Sequence, residues 1–160
     1  MDPILSDWLE EHSIQYHLFT HPPVETLEEA REKSYHVPGM HPKNFFLKDS
    51  KRKEYFILSV PGLKEVELRE VRKVLKARKL SFASFEEMTE LLKVEKGAVS
   101  PLALIRDTEH LIKLIIDTEV WEHDILCFPP NINSETVQLT IGEFRKLVKA
   151  LGNPYDVVAI

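Results

Sequence analysis

The chain has 160 residues, 43% of them hydrophobic, a single cysteine and a formal net charge of −5. One packed domain over residues 1–160 is expected, stable without disulfide or structural metal, since Cys127 alone forms neither an intrachain bridge nor a CxxC zinc pair. The acidic opening MDPILSDWLEEH and the lack of any apolar run near ~18 residues argue against a secretory signal or membrane span, so a reducing, cytoplasmic setting is expected.

Pro3 followed by ILSDWLEEH puts Ile4, Leu5, Trp8 and Leu9 on one face, which predicts an amphipathic helix over about 3–12. The alternating IQYHLFT (14–20) predicts a strand that His21-Pro22-Pro23 stops. Thr26 and Glu29 form a capping box for a helix to about 34. KNFFLK (43–48) and EYFILSV (54–60), joined by the polar DSKRK, predict a β-hairpin ending at Pro61-Gly62. VELREVRKVLKARKL (66–80) predicts a basic helix with Leu68, Val71, Val74 and Leu75 toward the core and Arg69, Arg72, Lys73, Lys76 and Lys79 outward.

A short strand is expected over 80–83, and Ser84 with Glu87 caps a helix through FEEMTELLKV (85–94). Lys96 to Pro101 reads as a loop, because Gly97 permits positive φ and Ser100 precedes proline. LIKLIID (111–117) is a buried strand, 118–123 a helical turn, 125–128 and 136–139 further strands, and Thr140 with Glu143 caps a last helix closed by Gly152. Six or seven strands among five helices imply one mixed α/β sheet domain.

Charge is unevenly spread. From Lys43 to Lys79 there are twelve Lys and Arg against five acids, a local +7 on an acidic body. That pattern suits a partner with a few phosphates, such as one end of an RNA, rather than general coating of DNA or RNA or a membrane surface.

Chemical motifs are sparse. GxSxG, the P-loop and GxGxxG are absent, and Cys127 within ILCF reads as a small buried apolar group. His17 and His21 have i, i+4 spacing, but they fall on a strand without further ligands, so no metal or other cofactor is expected. Lys43-Asn44 opens an apolar strand, where the lysine either reaches solvent or is held near a cleft. Gly97-Ala98-Val99-Ser100-Pro101 is either an ordinary turn or a backbone cradle for a polar group. The basic helix face, with Lys51, Arg52 and Lys53 at the hairpin tip, is either solvated or a phosphate-binding surface.

The ordered motifs HPKNFFLKD (41–49), LSFAS (80–84), GAVSPLALIRD (97–107) and FPPNINSET (128–136), after HPPVETLEEA (21–30), resemble the freestanding prolyl-tRNA editing proteins of the YbaK/ProX type. That resemblance implies an α/β (mixed α+β) fold, with a barrel-like mixed sheet surrounded by helices, and metal-free hydrolysis of a wrong amino acid from tRNA(Pro), most readily alanine. It further implies that Lys43 is the essential lysine and Asn44 its pocket neighbour. Gly97 to Pro101 is then the GxxxP substrate loop, and Pro129 and Asn131 border the substrate. Many relatives carry Phe-His-Pro-Asn where this chain has Phe128-Pro129-Pro130-Asn131, so Pro129 replaces a pocket histidine. The expected partners are the tRNA(Pro) acceptor end, held by Lys51, Arg52, Lys53, Arg69, Arg72, Lys73 and Lys76, and prolyl-tRNA synthetase. A non-catalytic module binding aminoacyl-tRNA or a synthetase, its pocket disabled by Pro129, stands as the alternative.

Overall fold

The computed structural model describes residues 1–160. In chain order the first half contains α1 (Pro3–Glu11), β1 (His17–Thr20), α2 (Leu27–Lys33), β2 (Lys43–Asp49), β3 (Glu54–Val60), α3 (Leu68–Leu75) and β4 (Leu80–Phe82). Then come α4 (Phe85–Leu92), a 3-10 helix (Pro101–Arg106), β5 (Ile112–Asp117), α5 (Thr118–Trp121), β6 (Ile125–Phe128), β7 (Glu135–Thr140), α6 (Ile141–Leu151) and β8 (Tyr155–Val158).

The period-2 pattern of the hairpin organises two cores. Strands β2 and β3 pair antiparallel from Lys43↔Val60 to Asp49↔Glu54, so residues directly opposite share a face. Phe46 and Ile57 enter the larger core, while Leu47, Phe56, Leu58 and Val60 enter a smaller one with Val71 of α3 and Ile115 of β5. The central sheet is therefore covered on both faces. Its order is β4-β2-β3-β5-β8, with β5 parallel to β3 and to β8 and the remaining pairs antiparallel. A three-stranded antiparallel sheet, β1-β7-β6, lies across the larger core and supplies Leu126, Phe128, Val137 and Leu139.

No strand pairing joins the two sheets; an isolated bridge between Met40 and Leu126 ties only the segment before β2 to β6. A barrel requires continuous pairing around its circuit. Here β4 and β8 are edges of one sheet and β1 and β6 of the other, so the mixed α/β fold is formed without a closed barrel.

Three local expectations are corrected. The strand expected from residue 14 starts at His17, and Ile14 is buried beside α1 with its N–H on the Leu9 carbonyl. Helix α3 stops at Leu75, Lys76 turns left-handed (φ 55°), and Val74 is 41% exposed instead of in the core. The cause is Asp49, a buried carboxylate that accepts the N–H groups of Arg78 (2.8 Å) and Lys79 (3.1 Å) as well as those of Lys51 and Arg52. It ties the segment after α3 to the hairpin tip, so Lys79 does not share the helical face. Finally, the 3-10 helix at 101–106 and strand β8 are elements that the sequence pattern left unassigned.

Candidate active site

A cavity of about 340 Å³ opens between the start of β2, the segment from His21 to Ala30, the loop at 97–99 and the end of β6 with Pro129. This is at the small end of the range for small-ligand sites, roughly 300 to 1,000 Å³.

Lys43, Asn44, Gly97, Val99 and Pro129 line it together, although 86 positions separate the first from the last in the chain. Lys43 takes part in none of the fold's ion pairs, and its ammonium lies 5.9 Å from the centre of the Phe45 ring. Asn44 Nδ2 donates to the Pro42 carbonyl at 3.4 Å, whereas its buried Oδ1 has no partner.

Hydrogen bonds fix the loops around the cavity. Ser100 Oγ donates to the Pro129 carbonyl at 3.2 Å and accepts the Leu102 N–H at 3.1 Å, so one hydroxyl caps the 3-10 helix and ties the loop to β6. Asn133 Nδ2 donates to the Lys96 carbonyl at 3.0 Å, while the Asn133 carbonyl accepts the Val24 N–H at 2.8 Å. Gly97 has φ +80°, and a Cβ there would lie 2.7 Å from the Val24 oxygen. The amides of Gly97 and Val99 donate to no protein acceptor. Ala98, Ser100 and Pro101 are buried behind this loop, and buried Asn131 directs Nδ2 to Asp2 Oδ2 at 3.4 Å, outside the cavity lining.

The cavity also collects residues to which the sequence reading gave no role. His21 donates Nδ1–H to the Pro22 carbonyl, which leaves Nε2 to accept the Thr136 hydroxyl at 2.8 Å. His41 donates Nε2–H to the Val37 carbonyl at 2.7 Å and packs on Tyr35 with ring centres 4.5 Å apart. Burial pushes the His41 pKa below its usual value against the opposing pull of that carbonyl, so a neutral ring faces the cavity at pH 7. Glu135 is buried and paired with the Met1 ammonium at 2.8 Å. Burial raises the Cys127 thiol to about 12, so it is protonated and a poor nucleophile. The available signal was positional: His21, Asn133, Glu135 and Thr136 lie inside HPPVETLEEA and FPPNINSET.

The basic residues of the tip occupy the other end of the hairpin, whereas the start of α3, with Glu67 and Glu70, lies beside Lys43. Lys51, Arg52 and Lys53 are exposed at its tip, six strand residues beyond Lys43 and hence about 20 Å away. Lys76 joins them beyond the end of α3. Arg69 and Lys73 lie 4.0 and 3.4 Å from Glu70, and Arg72 is half-buried with Nη1 on the Ala77 carbonyl at 3.4 Å.

Comparison with known proteins now defines the class. The family model of the aminoacyl-tRNA editing domain matches residues 21–147. The prolyl-tRNA editing protein ProX of Acetoanaerobium sticklandii is 31% identical over 95% of this chain and 93% of its own. The chain belongs to the aminoacyl-tRNA editing domain family, a class of hydrolases that cleave the ester between amino acid and tRNA. The mouse prolyl-tRNA synthetase associated domain-containing protein 1 is 34% identical over 88% of this chain and 85% of its own. A crystal structure described as a candidate trans-editing enzyme for prolyl-tRNA synthetase shares the fold, with a TM-score of 0.71 at 16% identity over 98% of this chain and 97% of that one. No helix is long and apolar enough to cross a membrane.

Proposed function

We propose that this chain edits in trans, hydrolysing mischarged tRNA(Pro) and releasing alanine most readily. The observation that carries the reading is the cavity wall itself, where an unpaired lysine and two amides without protein acceptors converge with no activated nucleophile beside them. An aminoacyl ester is already reactive, so positioning and charge stabilisation suffice. Lys43 holds the terminal phosphate or ribose of the RNA as a compact point charge. The Gly97 and Val99 amides receive the ester oxygen as negative charge develops on it. Water attacks the carbonyl carbon, the ester C–O bond breaks, and the ribose oxygen leaves with a proton. The neighbouring ribose hydroxyl assists that water. Backbone carbonyls of the loop at 97–99 take the α-ammonium.

The names of the ProX and mouse relatives support tRNA(Pro) as substrate and prolyl-tRNA synthetase as partner. The modest cavity, bordered by the rigid Pro129, supports alanine as the amino acid released. Pro129 also favours a second reading, a module that binds aminoacyl-tRNA without turning it over, because proline lacks the imidazole many relatives have there. Hydrolysis of Ala-, Ser-, Cys- and Pro-tRNA(Pro) by the purified protein separates the two. Fast loss of alanine with Pro-tRNA(Pro) spared is expected; binding without turnover of any of the four would establish the second reading.

A further inference from the structure

Along the row of side chains leading out of the cavity, Lys43 and Phe45 are half-buried, Leu47 is buried and Phe82 is exposed. Lys43, Phe45 and Leu47 alternate onto one face of β2, and the register Leu47↔Phe82 sets Phe82 of edge strand β4 diagonally beside Phe45. Their rings lie 5.9 Å apart at 59°, both line the cavity rim, and Phe82 is 60% exposed. On the other side of Phe45 stands the Lys43 ammonium, 5.9 Å from the ring centre. Beyond Leu47 the same face is flanked by α3 and by the basic Lys76, Arg78 and Lys79 that lead into β4.

An exposed ring beside an unpaired cation at a cavity mouth matches single-stranded nucleic acid chemistry, in which a base stacks on an aromatic face while a lysine holds the adjacent phosphate. We infer that Phe82, backed by Phe45, is the stacking platform for the terminal adenine of the tRNA 3′ end. The inference rests on the aminoacyl-tRNA reading above, and it adds a contact to the base rather than to the amino acid. In this pose it is the terminal base. The esterified ribose occupies the cavity, and only the base attached to that ribose sits at the rim while its phosphate meets Lys43. Phe82 therefore sets affinity and register of the 3′ end without touching the reacting ester.

The test compares Phe82→Ala and Phe82→Tyr with the wild type on two Ala-charged microhelix RNAs, one with the normal 3′ adenine and one abasic at that nucleotide. Phe82→Ala should raise KM for the normal RNA by about five- to 150-fold, the usual range for losing one base–aromatic stack, with kcat changed less than twofold. Phe82→Tyr should restore KM, and on the abasic RNA the two variants and the wild type should coincide. An unchanged KM for Phe82→Ala, or an equal penalty on both RNAs, would overturn the platform while leaving the editing reading intact. A parallel arm measures fluorescence anisotropy of the uncharged microhelices, so the platform is tested even if the wild type hydrolyses nothing. There, a Phe82-dependent preference for the adenine-ended RNA supports it and no preference refutes it. Should removal of the penultimate cytosine base, instead of the adenine, cancel the Phe82 effect, the assignment to the terminal base is wrong. Unfolding midpoints of the variants should match the wild type, since the ring is mostly in solvent.

Discussion

Replacing Gly97 with alanine puts a methyl group into backbone that has no room to move. Its Cβ would lie 2.7 Å from the Val24 oxygen, 2.8 Å from Glu25 Cα and 3.0 Å from the Glu25 carbonyl carbon, where ordinary contact begins at 3.4 Å. The residue also has φ +80°, a conformation costing a residue with a Cβ roughly 1 to 2 kcal/mol. Relieving the overlap adds about 1 to 3 kcal/mol, because the segment from 21 to 25 is itself bonded to Ser134 and Asn133. The expected destabilisation is about 2 to 5 kcal/mol, or roughly 4 to 20 °C in Tm for a domain of this size. Urea unfolding at unchanged m-value measures it, and kcat/KM for Ala-tRNA(Pro) should fall as well, since a displaced loop mis-sets its amides. Gly142 is the internal control. Nothing lies within 4 Å of a Cβ there, so Gly142→Ala should stabilise helix α6 by about 0.5 to 1 kcal/mol. If Gly97→Ala matched the wild type within about 0.5 kcal/mol, the loop would not be wedged against residues 24 and 25, and the account of its glycine would fail.

Lys43→Ala should lower kcat/KM by about ten- to 150-fold, the loss of one charge-assisted contact, with the unfolding midpoint nearly unchanged; Lys43→Arg should recover little, and wild-type turnover in either variant would remove the lysine from the mechanism. Burial would raise the Asp49 pKa, but four backbone N–H donors outweigh it and hold the carboxyl below its usual range. Its stabilisation is thus fully present above about pH 4 and is lost as pH falls through the depressed value. Asp49→Asn should lower Tm by about 5 °C at pH 7, a gap that closes under acid titration; a gap constant to pH 2 would contradict the assignment. Charge reversal of Lys51, Arg52 and Lys53 to Glu should raise KM for tRNA with little change in kcat and flatten its salt dependence, whereas unaltered KM would mean a merely solvated tip. Pro129→His should change the Ala-to-Ser ratio of kcat/KM more than it changes Tm, and equal ratios would show that position 129 does not discriminate substrates.

The local elements were largely legible. Capping boxes at Thr26, Ser84 and Thr140 start α2, α4 and α6 as read, because a cap is a hydrogen bond within three residues of sequence. The hairpin was legible for the same reason, its alternation and polar turn lying within a single stretch of chain. The motif order around Lys43, Gly97 and Pro129 marked where a site would form. What the sequence could not supply was any term that depends on distant partners. Asp49 ends α3 a turn early through N–H groups 29 and 30 residues away, and no propensity of Lys76 to Lys79 announces that. In the 101–106 segment the run Pro101 to Leu104 is apolar and buried without alternation, so it carries no periodicity to read. Strand β8 exists because β5 offers it a parallel edge, a pairing with no local signature. In the site, the sequence determined the chemical groups, and tertiary packing decided their use: Ala98, Ser100, Pro101 and Asn131 were drawn behind the cavity lining, while His21, His41 and Thr136 were brought onto it. The physical reason is that burial and hydrogen-bond satisfaction are settled by what packs opposite each residue, and that partner comes from elsewhere in the chain.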